Sequence, residues 1–238
     1  MHPQPAPRMG VIGLIGGLSW ESSAVYYRLI NEAVRERRGG ASSARCLMWS
    51  FDFGEIEALQ HQGRWPETEA LMIDAARRLE AGGADCLLIC SNTMHRMAGA
   101  VDAATRVPLL HIVDAAAAEI LDLGARKVGL LGTKFTMEGA FYADRLRDRF
   151  GLETLTPGPE DRQRIHDIIY GELVGGRALP SSRAECAGII ARLVEQGADA
   201  VLLGCTELML LIRPEDSPRP LVDTTAAHAL AAVRFALD

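Results

Sequence analysis

Two short segments of the chain carry side chains that can move protons. The segment ICSNTMH at 89–95 places the thiol of Cys90 beside the hydroxyl of Ser91, and the segment GCTEL at 204–208 holds Cys205. A thiolate can take up a proton near neutral pH and a thiol can return one, so these residues suit acid–base or nucleophilic chemistry. Neighbours on an extended chain point to opposite faces. At most one of Cys90 and Ser91 can therefore face a given cleft.

The chain also contains an internal repeat. Three anchor segments occur twice in the same order, and their offsets are 116, 114 and 112 residues, so only small insertions separate the two copies. Such a repeat indicates two copies of one structural unit. The paired segments are VIGLIGG (11–17) with KVGLLGT (127–133), GADCLLICSNT (83–93) with GADAVLLGCTE (197–207), and PLLHIVDAA (108–116) with PLVDTTAA (220–227).

The repeat decides between the two neighbouring residues of the first segment. It places Ser91 opposite Cys205 and Cys90 opposite Gly204. Cys205 lies between an apolar strand and a predicted helix, where backbone amides lower the pKa of a thiol from about 8.5. We therefore predict that Ser91 and Cys205 face one shared site and that Cys90 packs in the hydrophobic core.

Short apolar runs alternate with longer segments of helical period, a pattern typical of parallel α/β architecture. Ligands bind at the carboxyl ends of parallel strands, so two related halves facing each other would enclose one site. Ser182 and Glu185 have capping-box spacing, which supports a helix start there. The predicted strands span 11–15, 46–51, 84–89, 109–112, 127–131, 200–203 and 220–222, and the predicted helices include 22–38, 68–81, 137–150, 162–174 and 183–196.

Composition excludes several classes of function. The 238 residues carry a formal charge of −6, and lysine occurs only at positions 127 and 134, so no basic stripe favours nucleic acid. No apolar run approaches the ~20 residues that span a bilayer, and the start, MHPQPAPRMG, lacks the apolar core of a secretory signal. We therefore expect a cytoplasmic protein that binds neither nucleic acid nor a membrane.

Metal and nucleotide motifs are not found in the sequence. Five cysteines occur without a CxxC, HxH or HExxH spacing, so we expect no metal site. The glycine-rich stretch GLIGGLS at 13–19 matches neither the dinucleotide nor the P-loop fingerprint. A tight turn before a helix still offers backbone amides to a small anion such as a carboxylate. A purely structural turn explains the same residues equally well.

The segments GLIGGLSWES, ICSNTMH, LLGT and GCTEL, in this order, resemble the aspartate/glutamate racemase family. The likeness extends from Gly10 to about Val233, and it is closest to bacterial aspartate and broad-specificity amino-acid racemases. The resemblance implies two Rossmann-like domains related by pseudo-twofold symmetry, with an active site between them. It also implies an amino-acid substrate, no cofactor and a homodimer. The expected domains are 8–112 with 223–238, and 113–222.

The family pattern has one cysteine in each half, one to remove the α-proton and one to return a proton on the opposite face. The second cysteine carries over to Cys205, whereas Ser91 occupies the slot of the first. A hydroxyl can donate a proton but is a poor base at neutral pH. We therefore expect an asymmetric enzyme that works better on one enantiomer, the L-form by family analogy, with slow reaction from the other. The residues expected to bind substrate are Leu18, Ser19, Gln60, Asn92, Thr93, Arg164, Thr206 and Glu207.

Two alternatives fit the same residues. A superfamily member that needs a single thiol, such as an arylmalonate-type decarboxylase, would use Cys205 only to protonate a carbanion. A non-catalytic small-anion-binding protein would bind aspartate without exchanging its α-proton. The preferred interpretation is a cofactor-independent racemase acting on aspartate or glutamate.

Overall fold

The computed structural model describes residues 8–238 and contains two parallel sheets. Residues 1–7, part of the stretch used to argue against a secretory signal, lie outside this range. The strands are β1 (Val11–Gly16), β2 (Arg45–Ser50), β3 (Cys86–Ile89), β4 (Lys127–Gly132), β5 (Glu153–Leu155), β6 (Ala200–Gly204) and β7 (Leu221–Asp223). The helices are α1 (Trp20–Arg38), α2 (Phe53–His61), α3 (Trp65–Ala81), α4 (Ala98–Ala103), α5 (Ile112–Asp122), α6 (Lys134–Met137), α7 (Ala140–Phe150), α8 (Pro159–Gly171), α9 (Pro180–Glu195), α10 (Leu208–Leu211) and α11 (Thr224–Leu237).

The two sheets have equivalent strand orders. The first runs β2–β1–β3 and the second β5–β4–β6–β7, and every pairing is parallel. In the first sheet, the place equivalent to that of β7 is occupied by a single parallel bridge between Leu87 and Leu109. Strands β1, β3 and β6 are buried along their whole length, which explains their continuous apolar sequences. The predicted fold class, two related parallel α/β sheets, is confirmed.

Equivalent hydrogen bonds occupy equivalent positions in the two halves. The Asp85 carboxylate accepts from the backbone N–H of Val11 at 2.7 Å, as Asp199 does from Lys127 at 3.0 Å. The carbonyl of Pro108 accepts from Leu87, and that of Pro220 accepts from Val201, both at 2.9 Å. The repeat seen in the sequence is thus a repeat of the backbone fold.

Helix α11 returns the end of the chain to the first sheet. Its side chains Ala229, Ala232 and Val233 share a core cluster with Ile12 of β1 and with Tyr26. Asp223 caps the helix by accepting from the N–H of Thr225 at 2.8 Å. This packing supports the division into 8–112 with 223–238 and 113–222, which stays a proposal. None of the helices within residues 8–238 has both the length and the apolar character that a membrane crossing requires.

Several predicted boundaries were wrong. The strand expected at 109–112 is reduced to the bridge at Leu109, because α5 already begins at Ile112. The helix expected at 137–150 is divided into α6 and α7 at Gly139. The predicted capping box does not form, since α9 begins at Pro180 and the Ser182 hydroxyl instead donates to Glu172 at 2.6 Å.

Candidate active site

A cavity lies where the carboxyl ends of β3 and β6 meet. Every residue predicted for the site lines it except Ser19 and Arg164. The space left inside is about 30 Å³, which is enough for a water molecule or two. An amino acid needs more room than this, so lining side chains must move to admit one. The lining residues are Leu18, Phe53, Gln60, Ser91, Asn92, Thr93, Thr133, Ile169, Tyr170, Val174, Gly204, Cys205, Thr206 and Glu207.

Ser91 and Cys205 face the same cavity from the two related strands. Ser91 follows the end of β3 and Cys205 follows β6 directly. Cys90 is completely buried in the cluster of core side chains that includes Leu14 and Leu88. Burial raises the pKa of the Cys90 thiol well above its usual range. The prediction that Cys90 packs in the core is confirmed.

Cys205 has a carboxylate as its direct neighbour. Its thiol donates to Oε2 of Glu207 at 3.0 Å, and its side chain is nearly buried, with 7% of its surface exposed. Burial and the negative charge of Glu207 raise the pKa of this thiol, although the backbone amides of Glu207 and Leu208 oppose the rise. The predicted lowering of the thiol pKa was therefore wrong. In the closed protein Cys205 is a thiol hydrogen-bonded to a proton acceptor.

Glu207 is held by hydroxyl groups. The Ser22 hydroxyl donates to Oε1 at 2.8 Å, and the Thr206 hydroxyl donates to Oε2 at 2.8 Å. Glu207 has 4% of its surface exposed, and no cation among residues 8–238 pairs with it. Ser22 was not among the residues predicted for the site. Its signal in the sequence is its place at the end of the segment GLIGGLSWES, in the first turn of α1.

The backbone carbonyl of Ser91 has a close hydrogen-bond partner, whereas the Ser91 hydroxyl is only weakly hydrogen-bonded. Nδ1 of His95 bonds the Ser91 carbonyl at 2.7 Å, while Nε2 accepts from the N–H of Ile112 at 3.1 Å. This pair of bonds places the proton of the neutral imidazole on Nδ1. The Ser91 hydroxyl accepts one long bond, at 3.5 Å, from the N–H of Met94. The hydroxyl is therefore available to a group in the cavity.

Asn92 and Thr93 tie the two halves together. The Asn92 amide donates to Thr224 and accepts from the Tyr142 hydroxyl, both at 3.0 Å. The Thr93 hydroxyl lies 3.0 Å from that of Thr133, in the second half of the chain. Asn92 and Thr93 line the cavity as predicted, and their polar side-chain atoms also have protein partners.

Two helices close the cavity from opposite halves. The Tyr170 hydroxyl of α8 donates to Oε1 of Gln60 on α2 at 2.8 Å. The ring of Phe53 stacks on that of Tyr170, with centroids 6.5 Å apart. Burial raises the pKa of Tyr170 well above its usual range, so its hydroxyl stays protonated and keeps donating.

Two predicted site residues lie elsewhere. The Arg164 guanidinium pairs with Glu185, and its side chain is 41% exposed on the outer surface of α8. Ser19 is buried and caps α1, where its hydroxyl oxygen accepts from the N–H of Ser22 at 3.3 Å. Sequence position alone did not show that Arg164 points away from the cavity. Among residues 8–238, no group of three His, Cys, Asp or Glu side chains is placed to hold a metal ion.

Comparison with known proteins places these features in one family. A sequence model of Asp/Glu/hydantoin racemases matches residues 15–232. A Yersinia pestis protein classed with the Asp/Glu racemases is 45% identical, with 97% of this chain and 100% of that chain aligned at a TM-score of 0.90. An aspartate racemase homologue from Pyrococcus horikoshii is 33% identical over 97% of this chain and 100% of its own, at a TM-score of 0.83. The broad-specificity amino-acid racemase RacX of Bacillus subtilis is 28% identical over 70% of this chain and 71% of its own. The chain belongs to the Asp/Glu/hydantoin racemase family, whose members are isomerases.

Proposed function

We propose that the protein racemises free amino acids, with Cys205 and Ser91 acting on opposite faces of the α-carbon. The observation that carries this proposal is that the two residues end related strands and line one closed cavity. The enzymes with which it aligns are racemases, which supports the reaction type. The cytoplasmic location and the homodimer remain predictions from the sequence and the family.

Cys205 is the base in this account. The Glu207 carboxylate, 3.0 Å from the thiol, is placed to take the thiol proton, and the positive charge of the substrate ammonium group lowers the pKa of the thiol by stabilising the thiolate. The thiolate then removes the α-proton, so that the C–H bond breaks and the electron pair stays on the carbon, delocalised into the carboxylate. The backbone amides of Glu207 and Leu208 stabilise the thiolate.

Ser91 is the donor on the other face. Its hydroxyl, or a water that it holds, gives a proton to the carbanion and recovers one from solvent. An alcohol is a weak base at neutral pH, so abstraction from the Ser91 face is the slow step. Because the equilibrium constant of a racemisation is unity, kcat/KM must be equal in the two directions. The asymmetry therefore appears in proton exchange, and not in net conversion.

The experiment follows the α-hydrogen in heavy water. The enantiomer whose α-hydrogen faces Cys205 is, by analogy, the L-form. It should take up deuterium with retention of configuration faster than it is converted to the D-form. From the other enantiomer, deuterium should enter together with inversion. Equal exchange with retention from both enantiomers would contradict the assignment of a thiol to one face and a hydroxyl to the other.

A decarboxylase is the second candidate, because Cys205 is the only cysteine that lines the cavity within residues 8–238. A single thiol suffices to protonate the carbanion that remains when a carboxylate is lost. Release of carbon dioxide from an arylmalonate, without exchange into any amino acid, would favour this reaction over racemisation.

A further inference from the structure

Most of the cavity lining falls into two parts with different chemistry. We call the strand-end residues Ser91, Asn92, Thr93, Cys205, Thr206 and Glu207 the floor, and the helix-borne residues Phe53, Gln60, Ile169, Tyr170 and Val174 the wall. The floor carries hydroxyls, an amide, the thiol and one carboxylate. The wall carries apolar and aromatic groups and a single amide. The division separates the groups that can do chemistry from those that can only contact a substrate.

The proposed reaction fixes how an amino acid lies between these parts, and the inference rests on that reaction. The α-carbon must come within about 3.5 Å of the Cys205 sulfur for proton transfer. The ammonium group, bonded to the same carbon, then lies close to Glu207, whose Oε2 is 3.0 Å from that sulfur. The substrate's amino and carboxylate groups therefore lie on the floor, and its side chain faces the wall.

The basic residues of the helices that form or flank the wall are engaged elsewhere. His166 of α8 has its pKa lowered by burial and by the neighbouring His61, which favours the neutral imidazole at pH 7. His61, the basic residue of α2, lies on the surface beside Glu57 at 3.8 Å. The others have surface partners: Lys134 of α6 donates to Gln163, and Arg162 and Arg164 of α8 donate to Glu138 and Glu185.

The α-ammonium and α-carboxylate groups of an amino acid offset each other's charge on the floor, whereas an acidic side chain adds an uncompensated negative charge to the cavity. Glu207 is the one charged group among the lining residues, and it is buried, where like charges repel strongly. Gln60 offers a neutral contact instead: its Oε1 accepts from Tyr170, so its amide N–H groups remain for a substrate hydroxyl or carboxamide. We propose that the site takes amino acids with uncharged side chains and discriminates against aspartate and glutamate.

The wild-type enzyme provides the first test. We expect kcat/KM for α-deuterium exchange into the best of L-alanine, L-serine and L-glutamine to exceed that of L-aspartate and L-glutamate by about tenfold or more. Equal or faster exchange into aspartate or glutamate would overturn this specificity and leave the racemase proposal intact. Exchange into none of the five would overturn both.

A charge introduced into the wall provides the second test. Gln60→Arg places a cation where the side chain of the substrate is expected, and it should raise the ratio of aspartate to serine exchange by about tenfold. The matched control is Gln62→Arg, which adds the same charge to an exposed position just after α2 and should leave the ratio unchanged. A folded Gln60→Arg protein with an unchanged ratio would show that the wall does not contact the side chain. If Gln60→Arg does not fold, the wild-type comparison decides.

Discussion

At the scale of single residues, the pair formed by Cys205 and Glu207 determines the chemistry. Burial of a thiol normally makes it inert, and here burial and a neighbouring negative charge both keep the proton on sulfur. Within residues 8–238, the same carboxylate is the only group that accepts a hydrogen bond from that thiol. Glu207 therefore raises the pKa of Cys205 in the free enzyme, and in the proposed reaction it is also the group placed to accept the thiol proton. These two effects can be separated experimentally.

Replacing Glu207 by Gln should change thiol reactivity and catalysis in opposite directions. Without the carboxylate charge the pKa of Cys205 falls, so the thiolate fraction at pH 8 rises and alkylation by iodoacetamide becomes faster. Exchange of the substrate α-proton should slow by about a hundredfold, because the acceptor of the thiol proton is lost. Alkylation rates and exchange rates measured on the same preparation check both effects. Slower alkylation would mean that Glu207 lowers the pKa of the thiol.

Replacing Ser91 by Cys should make the site symmetrical. A thiol on the second face can act as a base, so exchange with retention from the D-enantiomer should appear and approach that from the L-enantiomer. The readout is the ratio of retention to inversion in heavy water, with Ser91→Ala as the matched control that lacks both donor and base. An unchanged ratio in Ser91→Cys would place the second acid–base group elsewhere.

Some of these residues were predictable and some were not. The internal repeat was sufficient to prefer Ser91 over Cys90, because equivalent positions in two copies of one fold face the same way. Ser22, Thr133 and Tyr170 were missed: Ser22 and Thr133 lie in segments that the family resemblance uses but were given no role, and Tyr170 lies on α8, which carries no motif. Arg164 does not line the cavity and pairs with Glu185 on the surface, because a sequence does not show which face of a helix is turned toward a distant cleft.

At the scale of elements, three histidines, two buried and one half-buried, join the segments behind Ser91. His95 follows β3, His111 caps α5 and His228 lies on α11, and the ring of His95 is 4.6 Å from that of His111 and 5.6 Å from that of His228. Burial is the main cause that lowers the pKa of each, to about 3 for His111 and about 4 for His228. The pKa of His95 is lowered as well, also chiefly by burial. All three are therefore neutral in the folded protein at pH 7.

This cluster should make the protein sensitive to acid. Each histidine has a lower pKa in the folded protein than in the unfolded chain. The stability that the neutral histidines contribute is therefore fully present above the unfolded pKa of 6.5 and is lost as the pH falls toward 4. In that window, each proton taken up on unfolding lowers the free energy of unfolding by about 1.4 kcal/mol for every unit by which the pH falls. The check is urea unfolding between pH 7.5 and 4.5, with His228→Gln expected to flatten the dependence. A free energy of unfolding that stays constant from pH 7.5 to 5 would contradict this account.

The elements themselves were predicted unevenly. Strands with long buried apolar runs, such as β1, β4 and β6, were located to within a residue or so. The short edge strand β5 was missed, because three residues give too little periodicity to recognise. The capping-box spacing at Ser182 was misleading, since Pro180 begins the helix and tertiary partners take both side chains of the box.

At the scale of the whole molecule, hydrogen bonds join the two halves across the cavity. The closed cavity leaves room for a water or two, and the bond from Tyr170 to Gln60 joins α8 to α2 across it. Asn92 adds a further bond between the halves through Tyr142. In the proposed reaction these bonds would help to keep water from the carbanion and would have to break for product release.

Tyr170→Phe should weaken closure without removing the aromatic stack on Phe53. The lost hydrogen bond is worth about 1 kcal/mol, so KM should rise up to about fivefold while kcat changes little. Steady-state kinetics at saturating and limiting substrate separate the two effects. A fall in kcat alone would place the Tyr170 hydroxyl in the chemical step.

The central claim is that Cys205, and not the other thiol near the site, moves the α-proton. The most direct measurement is α-deuterium exchange into the best L-amino-acid substrate by Cys205→Ala beside its matched variant Cys90→Ala. We predict that Cys205→Ala loses about a thousandfold or more in exchange rate while keeping the fold, and that Cys90→Ala keeps its rate per folded molecule although its core is weakened. Exchange that survives in Cys205→Ala, or that is lost in a folded Cys90→Ala, would contradict the account.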